Sequence, residues 1–252
     1  MIHYDDFRSI NRGLQAKLLD LAAAAGAQAV AELGGGANPY LADPAWDGVP
    51  TRAVYDISAD ELAKSGAATL DLRQADLCQP LDVGDAFDLV FSRMLCEHLQ
   101  DPATFHRNCW AMLRPGGLAV HHFPTLSTLP FLVNRLLPER AARAVLARVR
   151  PGRIGSVHHE KFPATYRWCH GPTSRPLQRF SSIGFEVVEW VGGFGHAYYE
   201  RVPPLDAIER RKTEYLLRHP VPWLTSFAVV VLRKPPERAS RQPAASSQVS
   251  SP

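Results

Sequence analysis

Apolar residues recur at Phe7, Ile10, Leu14, Leu18, Leu21 and Ala25, the spacing of one helix face, and Gly26 stands where a cap ends such a helix. The pattern predicts a helix over Asn11–Ala25. The period then changes. Gln28–Leu33 is a short apolar run bounded by turn residues, which predicts a strand buried on both faces. Comparable runs return at Arg52–Ile57, Ala67–Leu72, Phe87–Ser92, Leu118–Phe123, Phe185–Val191 and Thr225–Arg233. Helical stretches separate them. A short one has Ser58 as its cap, with Glu61 three residues on completing a capping box. A second opens at Asp101-Pro102 and turns Phe105, Cys109, Met112 and Leu113 inward, and a third runs over Thr173–Ile183 to Gly184. This alternation predicts an α/β fold with a doubly wound parallel sheet of seven strands. The last two strands lack a regular crossover helix, so they are expected to close the sheet as an antiparallel pair.

After Pro124 the alternation stops. Pro130–Arg150 holds two short amphipathic pieces broken at Pro138, with Arg140, Arg143, Arg148 and Arg150 mostly opposite the apolar face. Residues 153–170 are rich in rings and charges, including His158, His159, Glu160, Tyr166, Trp168 and His170. Residues 125–171 read as an insertion over the carboxyl edge of the sheet. A second, 192–222, contains a helix near Pro204–Arg218, and together they would form a substrate lid on a single domain of residues 1–234. From Pro235 onward the tail has too little apolar content to fold and is expected to be disordered.

Composition narrows the class without choosing the function. Hydrophobic residues make up 46% and charged residues 21%, as in soluble globular proteins. A net charge of +3, without aromatics interleaved along a basic stripe, does not point to nucleic acid. Residues 1–12 lack the apolar core of a leader, and no run approaches the roughly 20 apolar residues of a membrane span. The four cysteines have no C-x-x-C spacing, which favours reduced thiols in a cytoplasmic protein; no metal site is expected, at His158–Glu160 or elsewhere. The arginines near 135–153 leave peripheral membrane contact open, and the oligomeric state is not set by the sequence.

The chemistry centres on residues 29–40, where an apolar strand runs through Glu32-Leu33 into Gly34-Gly35-Gly36-Ala37-Asn38-Pro39. The glycines allow a sharp turn and a close approach of ligand to backbone. A dinucleotide fingerprint would place a third glycine at position 39 and start a helix there, and Pro39 with the proline-rich 39–50 stretch fits neither. An NAD-dependent dehydrogenase is therefore the weaker alternative.

Five segments in order resemble another family. Glu32-Leu-Gly34-Gly-Gly36-Ala-Asn38 is similar to the acidic and glycine loop of the class I S-adenosylmethionine-dependent methyltransferases, with Asn38, a residue that tolerates a left-handed backbone, at the third glycine. Asp56 matches the acidic residue ending their second strand, and Ala75-Asp76-Leu77 their adenine segment. Phe87-Asp-Leu-Val, Glu97-His98-Leu and Asp101-Pro match the stretch after the fourth strand, and Leu113-Arg-Pro-Gly-Gly the turn before the fifth. The chain thus resembles the small-molecule, ubiquinone/menaquinone-biosynthesis-like group of that family over residues 28–124, and more loosely over 173–233.

The resemblance implies a Rossmann-like sheet and S-adenosyl-L-methionine as cofactor. It places Glu32, Gly34, Gly36, Asn38, Asp56, Ile57, Asp76, Leu77 and Ser92 at the cofactor: Asp56 on the ribose hydroxyls, Asp76 on the exocyclic amine and the backbone of Leu77 on the ring. It implies methyl transfer to a small or lipid-linked acceptor, with oxygen preferred over nitrogen or carbon. Imidazole titrates near neutrality, so His98 is the candidate base, with Glu97 orienting it or binding a cationic acceptor. His98 could also brace its loop, and His121 or His122 could line the pocket or pack in the strand. A non-catalytic module that binds the cofactor and regulates or scaffolds a partner is the alternative from another class.

Overall fold

The computed structural model describes residues 1–125, 164–200 and 202–236. The expected amphipathic pieces at 130–150, the His158–Glu160 cluster and the tail from 237 lie outside the described residues.

Eight strands form one sheet: β1 (Ile2–Asp6), β2 (Ala29–Leu33), β3 (Thr51–Asp56), β4 (Asp71–Gln74), β5 (Phe87–Arg93), β6 (Leu113–Pro124), β7 (Glu186–Phe194) and β8 (Phe227–Arg233). Their spatial order is β1-β7-β8-β6-β5-β2-β3-β4. Every pairing is parallel except those of β8, which runs antiparallel to both β6 and β7. The expected antiparallel closure is present, with the last strand wedged between its two neighbours.

The eighth strand is the one the pattern did not show. Ile-His-Tyr-Asp-Asp pairs in parallel with β7 through Ile2 opposite Trp190 and Tyr4 opposite Gly192. It is an edge strand with no fully buried residue, so it lacks the apolar run that marks its neighbours. It hands Asp6 to α1 (Phe7–Ala24) as N-cap, the side chain accepting from the Arg8 amide. The helix therefore begins four residues before the expected Asn11. The third strand is also displaced, from the expected 67–72 to Asp71–Gln74.

Strand side chains alternate between the two faces. Val30, Val54, Leu89, Phe91 and Val120 pack beneath α1 and α2 (Ala59–Lys64), together with Leu14, Leu18 and Leu62. Ala29, Ala31, Leu33, Val90 and Ala119 face α3 (Pro102–Met112) and α4 (Ser174–Ile183), with Phe105, Cys109, Met112 and Phe180. The proline-rich stretch after the glycines is a packed loop of two three-residue 3-10 turns, and Trp46 within it is fully buried and stacked on Phe91 at 5.8 Å. The helix α5 (Pro203–Arg218) lies against β1 and β7, at the opposite end of the sheet from β4. No helix among the described residues is long and apolar enough to cross a membrane.

Candidate active site

The strand order reverses between β2 and β5: the chain winds outward through β3 and β4 and then returns to the other side of β2. In an open α/β sheet, such a switch point opens a crevice at the carboxyl ends of the strands. A cavity of about 670 Å³ lies here, lined by Gly34 after β2, Asp56 and Ile57 at the end of β3, and Ala75–Pro80 after β4. Met94, Leu95, His98–Asp101 and Thr104, between β5 and the first turn of α3, form its other wall.

Backbone conformation makes room for a ligand. Gly34 has φ of +75°, and a Cβ there would meet Leu95 Cδ1 at 2.8 Å. Gly36 has φ of +48°, and a Cβ there would come within 3.4 Å of Asp56 Oδ2. Asn38 was expected to share this left-handed conformation and does not: Met94, Tyr166 and Trp168 are the non-glycine residues with positive φ among those described. The loop turns instead through the Asn38 amide donating to the Gly35 carbonyl at 3.2 Å, with the Asn38 carbonyl accepting from Arg93 at 3.1 Å. Side-chain tolerance at position 38 thus needs no special backbone.

Two carboxylates stand on the cavity wall in matching turns. Asp56 Oδ1 accepts from the Ser58 amide and Asp76 Oδ1 from the Cys78 amide, each at 2.9 Å. These bonds fix each carboxyl, and Asp56 Oδ2 is directed toward the Gly36 side. Ile57, 49% exposed, is an apolar surface on the same rim, and Leu77 and Leu99 add to the apolar lining.

The structure thus brings Gly34, Asp56, Ile57, Asp76, Leu77 and His98 together around one cavity, with Gly36 beside Asp56. Glu32, Asn38, Ser92 and Glu97 are not in its lining. Glu32 is 1% exposed and accepts from the Leu41 amide at 3.1 Å, so it pins the packed loop from behind. Burial pushes its carboxyl up to about 7, opposed by the Leu41 N–H and the charge of Arg93. Ser92 is buried, with Oγ 2.9 Å from His121 Nδ1 and 3.6 Å from Cys96 Sγ. It points into the core because Val90 and Ser92 share one face of β5, and that face is covered by α3.

Glu97 sits under the cavity floor, 4% exposed, with Oε2 lacking a hydrogen-bond partner among the described residues. Burial raises its carboxyl to about 7. Its Oε1 lies 3.8 Å from Nε2 of His98, whose side chain is 35% exposed and faces the cavity. The Glu97 carbonyl accepts from the Thr165 and Tyr166 amides at 2.7 and 3.0 Å, and the Met94 amide donates to His122 O at 2.8 Å. The loop after β5 is therefore clamped on both sides. His121 and His122 are both buried strand residues, 0% and 1% exposed, and neither reaches the cavity.

Met94, Leu95, Asp101 and Thr104 line the cavity without having been singled out for it. Asp101 was legible as the cap of α3, which it is through Ala103 and Thr104 at 3.0 and 3.1 Å. Its second place, on the cavity wall, depends on how α3 is docked.

No helix opens at the glycine loop; the next element is the 3-10 turn Tyr40–Ala42. The helix N-terminus that receives a dinucleotide pyrophosphate is missing from this position.

Residues 32–121 match the family model described as a methyltransferase domain. A ubiquinone biosynthesis O-methyltransferase of Rhizobium rhizogenes is 31% identical over 83 residues, 33% of this chain and 31% of the relative. Another of that name from Rhizobium leguminosarum bv. trifolii is 36% identical over 56 residues, 22% of each chain. The chain thus spans less than a third of the length of either curated relative. Among solved structures, an S-adenosylmethionine dependent methyltransferase from Mesorhizobium loti superposes with a TM-score of 0.52 at 20% identity, over 81% of this chain and 90% of that one. That likeness is one of fold.

Proposed function

We propose that the chain, whose residues 32–121 match a methyltransferase domain, is a class I enzyme that transfers a methyl group from S-adenosylmethionine to an oxygen of a small or lipid-linked acceptor. The observation that carries this reading is the cavity at the switch point, where a turn with left-handed glycines at 34 and 36 faces two fixed carboxylates. When bound, S-adenosylmethionine supplies an electrophilic methyl group on a sulfonium.

Each residue then has a definite task. Asp56 offers Oδ2 to a pair of vicinal hydroxyls, and Asp76 accepts from an amine at the apolar end between Ile57 and Leu77. Gly34 and Gly36 admit the ligand to the backbone, while Glu32 holds the loop that carries them. His98 takes the proton of the acceptor hydroxyl, since its ring borders the cavity and is open to solvent. Glu97, with Oε1 3.8 Å from Nε2, positions that ring. Positioning of the nucleophile in line with the methyl group supplies much of the rate. The two relatives named as O-methyltransferases support oxygen as the nucleophile. Residues 1–234 act as one domain in the cytoplasm.

Calorimetry with S-adenosylmethionine, followed by detection of S-adenosylhomocysteine on incubation with phenolic and quinol lipid extracts, tests the reading. Binding with turnover is expected. Binding without turnover on any acceptor pool would favour a non-catalytic module, and binding of NAD instead would refute the cofactor.

A further inference from the structure

His106 and Cys109 are three residues apart on α3, so their side chains leave the helix on one face. That face packs onto β6, where His121 meets them, and the donor atoms of the three lie within 4.8 Å of one another. All three are buried, at 3%, 0% and 0% exposure. Around them stand Phe105, Trp168 and Phe180, whose rings touch those of the histidines at centroid distances of 4.9 to 5.7 Å.

Aromatic packing accounts for the ring faces and leaves the ring nitrogens unexplained. His106 Nδ1 and His121 Nε2 are buried and have no hydrogen-bond partner among the described residues. A polar atom left in this state loses its hydration with nothing in return, so each such atom calls for a partner. The other nitrogen of His121 is engaged: Nδ1 lies 2.9 Å from Ser92 Oγ. With a metal on Nε2, Nδ1 would carry the proton and donate it to the Ser92 hydroxyl, which stands where the outer partner of a metal-bound imidazole belongs.

We infer that His106, Cys109 and His121 form a buried site for a soft monovalent cation, cuprous copper, which ties α3 to β6. Thiolate and imidazole are donors that copper(I) accepts, and three-fold coordination satisfies it. Charge decides between this ion and zinc. One thiolate and two neutral imidazoles exactly offset a single positive charge, whereas a divalent ion would leave a net charge in a dry interior. Bonds of about 2.0–2.3 Å in a trigonal arrangement place the donors about 3.5–4.0 Å apart, so side-chain shifts of up to about 1 Å from their present spacing close the site. On binding, the Cys109 S–H bond breaks, its proton leaves to solvent and an S–Cu bond forms. Copper remains in its +1 state, so no oxidant or reductant is consumed. The site is separate from the cavity and stands whether or not the chain transfers methyl groups.

The test is an anaerobic titration of the reduced full chain with copper(I) against excess bicinchoninate, a coloured competitor. The wild type should withdraw one copper per chain, and X-ray absorption of the loaded protein should show one sulfur and two nitrogen neighbours. Cys109→Ala should withdraw none while its far-UV circular dichroism remains that of the wild type. Ser92→Ala, which frees the His121 ring, should weaken retention by about 10–100-fold. Cys78→Ser, at a partly exposed thiol, should behave as wild type. The inference falls if the wild type withdraws no copper, if Cys78→Ser abolishes retention, if two or more sulfurs surround the metal, or if zinc is held as tightly. Should Cys109→Ala fail to fold, the sulfur and nitrogen count of the wild type decides alone.

Discussion

The proposed reaction gives Asp56 and His98 different tasks, and their substitutions should separate in kind. Asp56→Ala removes the Oδ2 that faces the glycine turn, and cofactor affinity measured by calorimetry should fall by roughly 10–100-fold, the loss of a charge-assisted hydrogen-bond pair. His98→Ala should leave that affinity within about threefold and depress kcat by ~10²-fold or more, as expected for a lost general base; an unchanged kcat would make His98 a brace for its loop. Glu32 supplies a third test. Its carboxyl, raised by burial to about 7 from its ordinary 4.5, makes folding less favourable as pH climbs between those values, and the cost is full above 7. Glu32→Gln keeps an acceptor for the Leu41 amide and abolishes that cost. Urea unfolding should show the variant more stable than wild type by the order of 1–3 kcal/mol at pH 8, with the difference vanishing by pH 4. Sequence motifs pointed to Glu32 as a ligand contact because the residue type and place were right; that the side chain turns back to Leu41 depended on the packed loop around Trp46, which has no periodicity to read.

Caps and turns were the most legible parts of the elements. Ser58 accepts from the Glu61 amide at 3.2 Å, Asp101 caps α3, and Gly184 closes α4 with φ of 112°, all at the places the sequence marks. Such signals are local, so they survive whatever the rest of the chain does. Gly184→Ala should test one of them: its Cβ would sit 3.1 Å from Trp110 Nε1 in a backbone region that L-residues avoid. A destabilisation of about 1–3 kcal/mol in chemical unfolding is expected, with no change in cofactor affinity. What escaped was decided at long range. The strand β1 exists because β7 offers it an edge, as in the Trp190 amide donating to the Met1 carbonyl at 2.8 Å, and its own residues alternate too weakly to announce it. Met94 takes a left-handed φ of 54° because its amide is held by the carbonyl of His122, 28 positions away.

For the molecule as a whole, acid should be the more damaging direction of pH. His121 and His122 are held neutral by burial, their pKa values lowered to about 3 and 4, and His106 is displaced the same way. An unfolded chain takes up protons at these rings below about pH 6.5, and the folded one does not. Their contribution is therefore complete above pH 6.5 and is lost as pH falls toward 4. Glu32 and Glu97 oppose this over pH 4.5–7, but burial lowers His170 and His196 as well, so five imidazoles outnumber two carboxyls. The urea midpoint should peak near pH 7 and drop on acidification to 4.5; a flat profile would contradict the burial of these rings.

The position of β8 carries a consequence for how the molecule comes into being. Synthesis proceeds from the amino terminus, and β8, the latest of the described strands, enters between β6 and β7, in the interior of the sheet. Until Phe227–Arg233 emerges, β6 presents an unpaired edge of apolar residues, and β1 and β7 have no seam joining them to the rest. The nascent chain therefore holds two incomplete half-sheets, and closure awaits its final strand. A chain cut short before residue 225 would lose its centre rather than its margin, and would be expected to aggregate through that open edge instead of folding as a smaller domain.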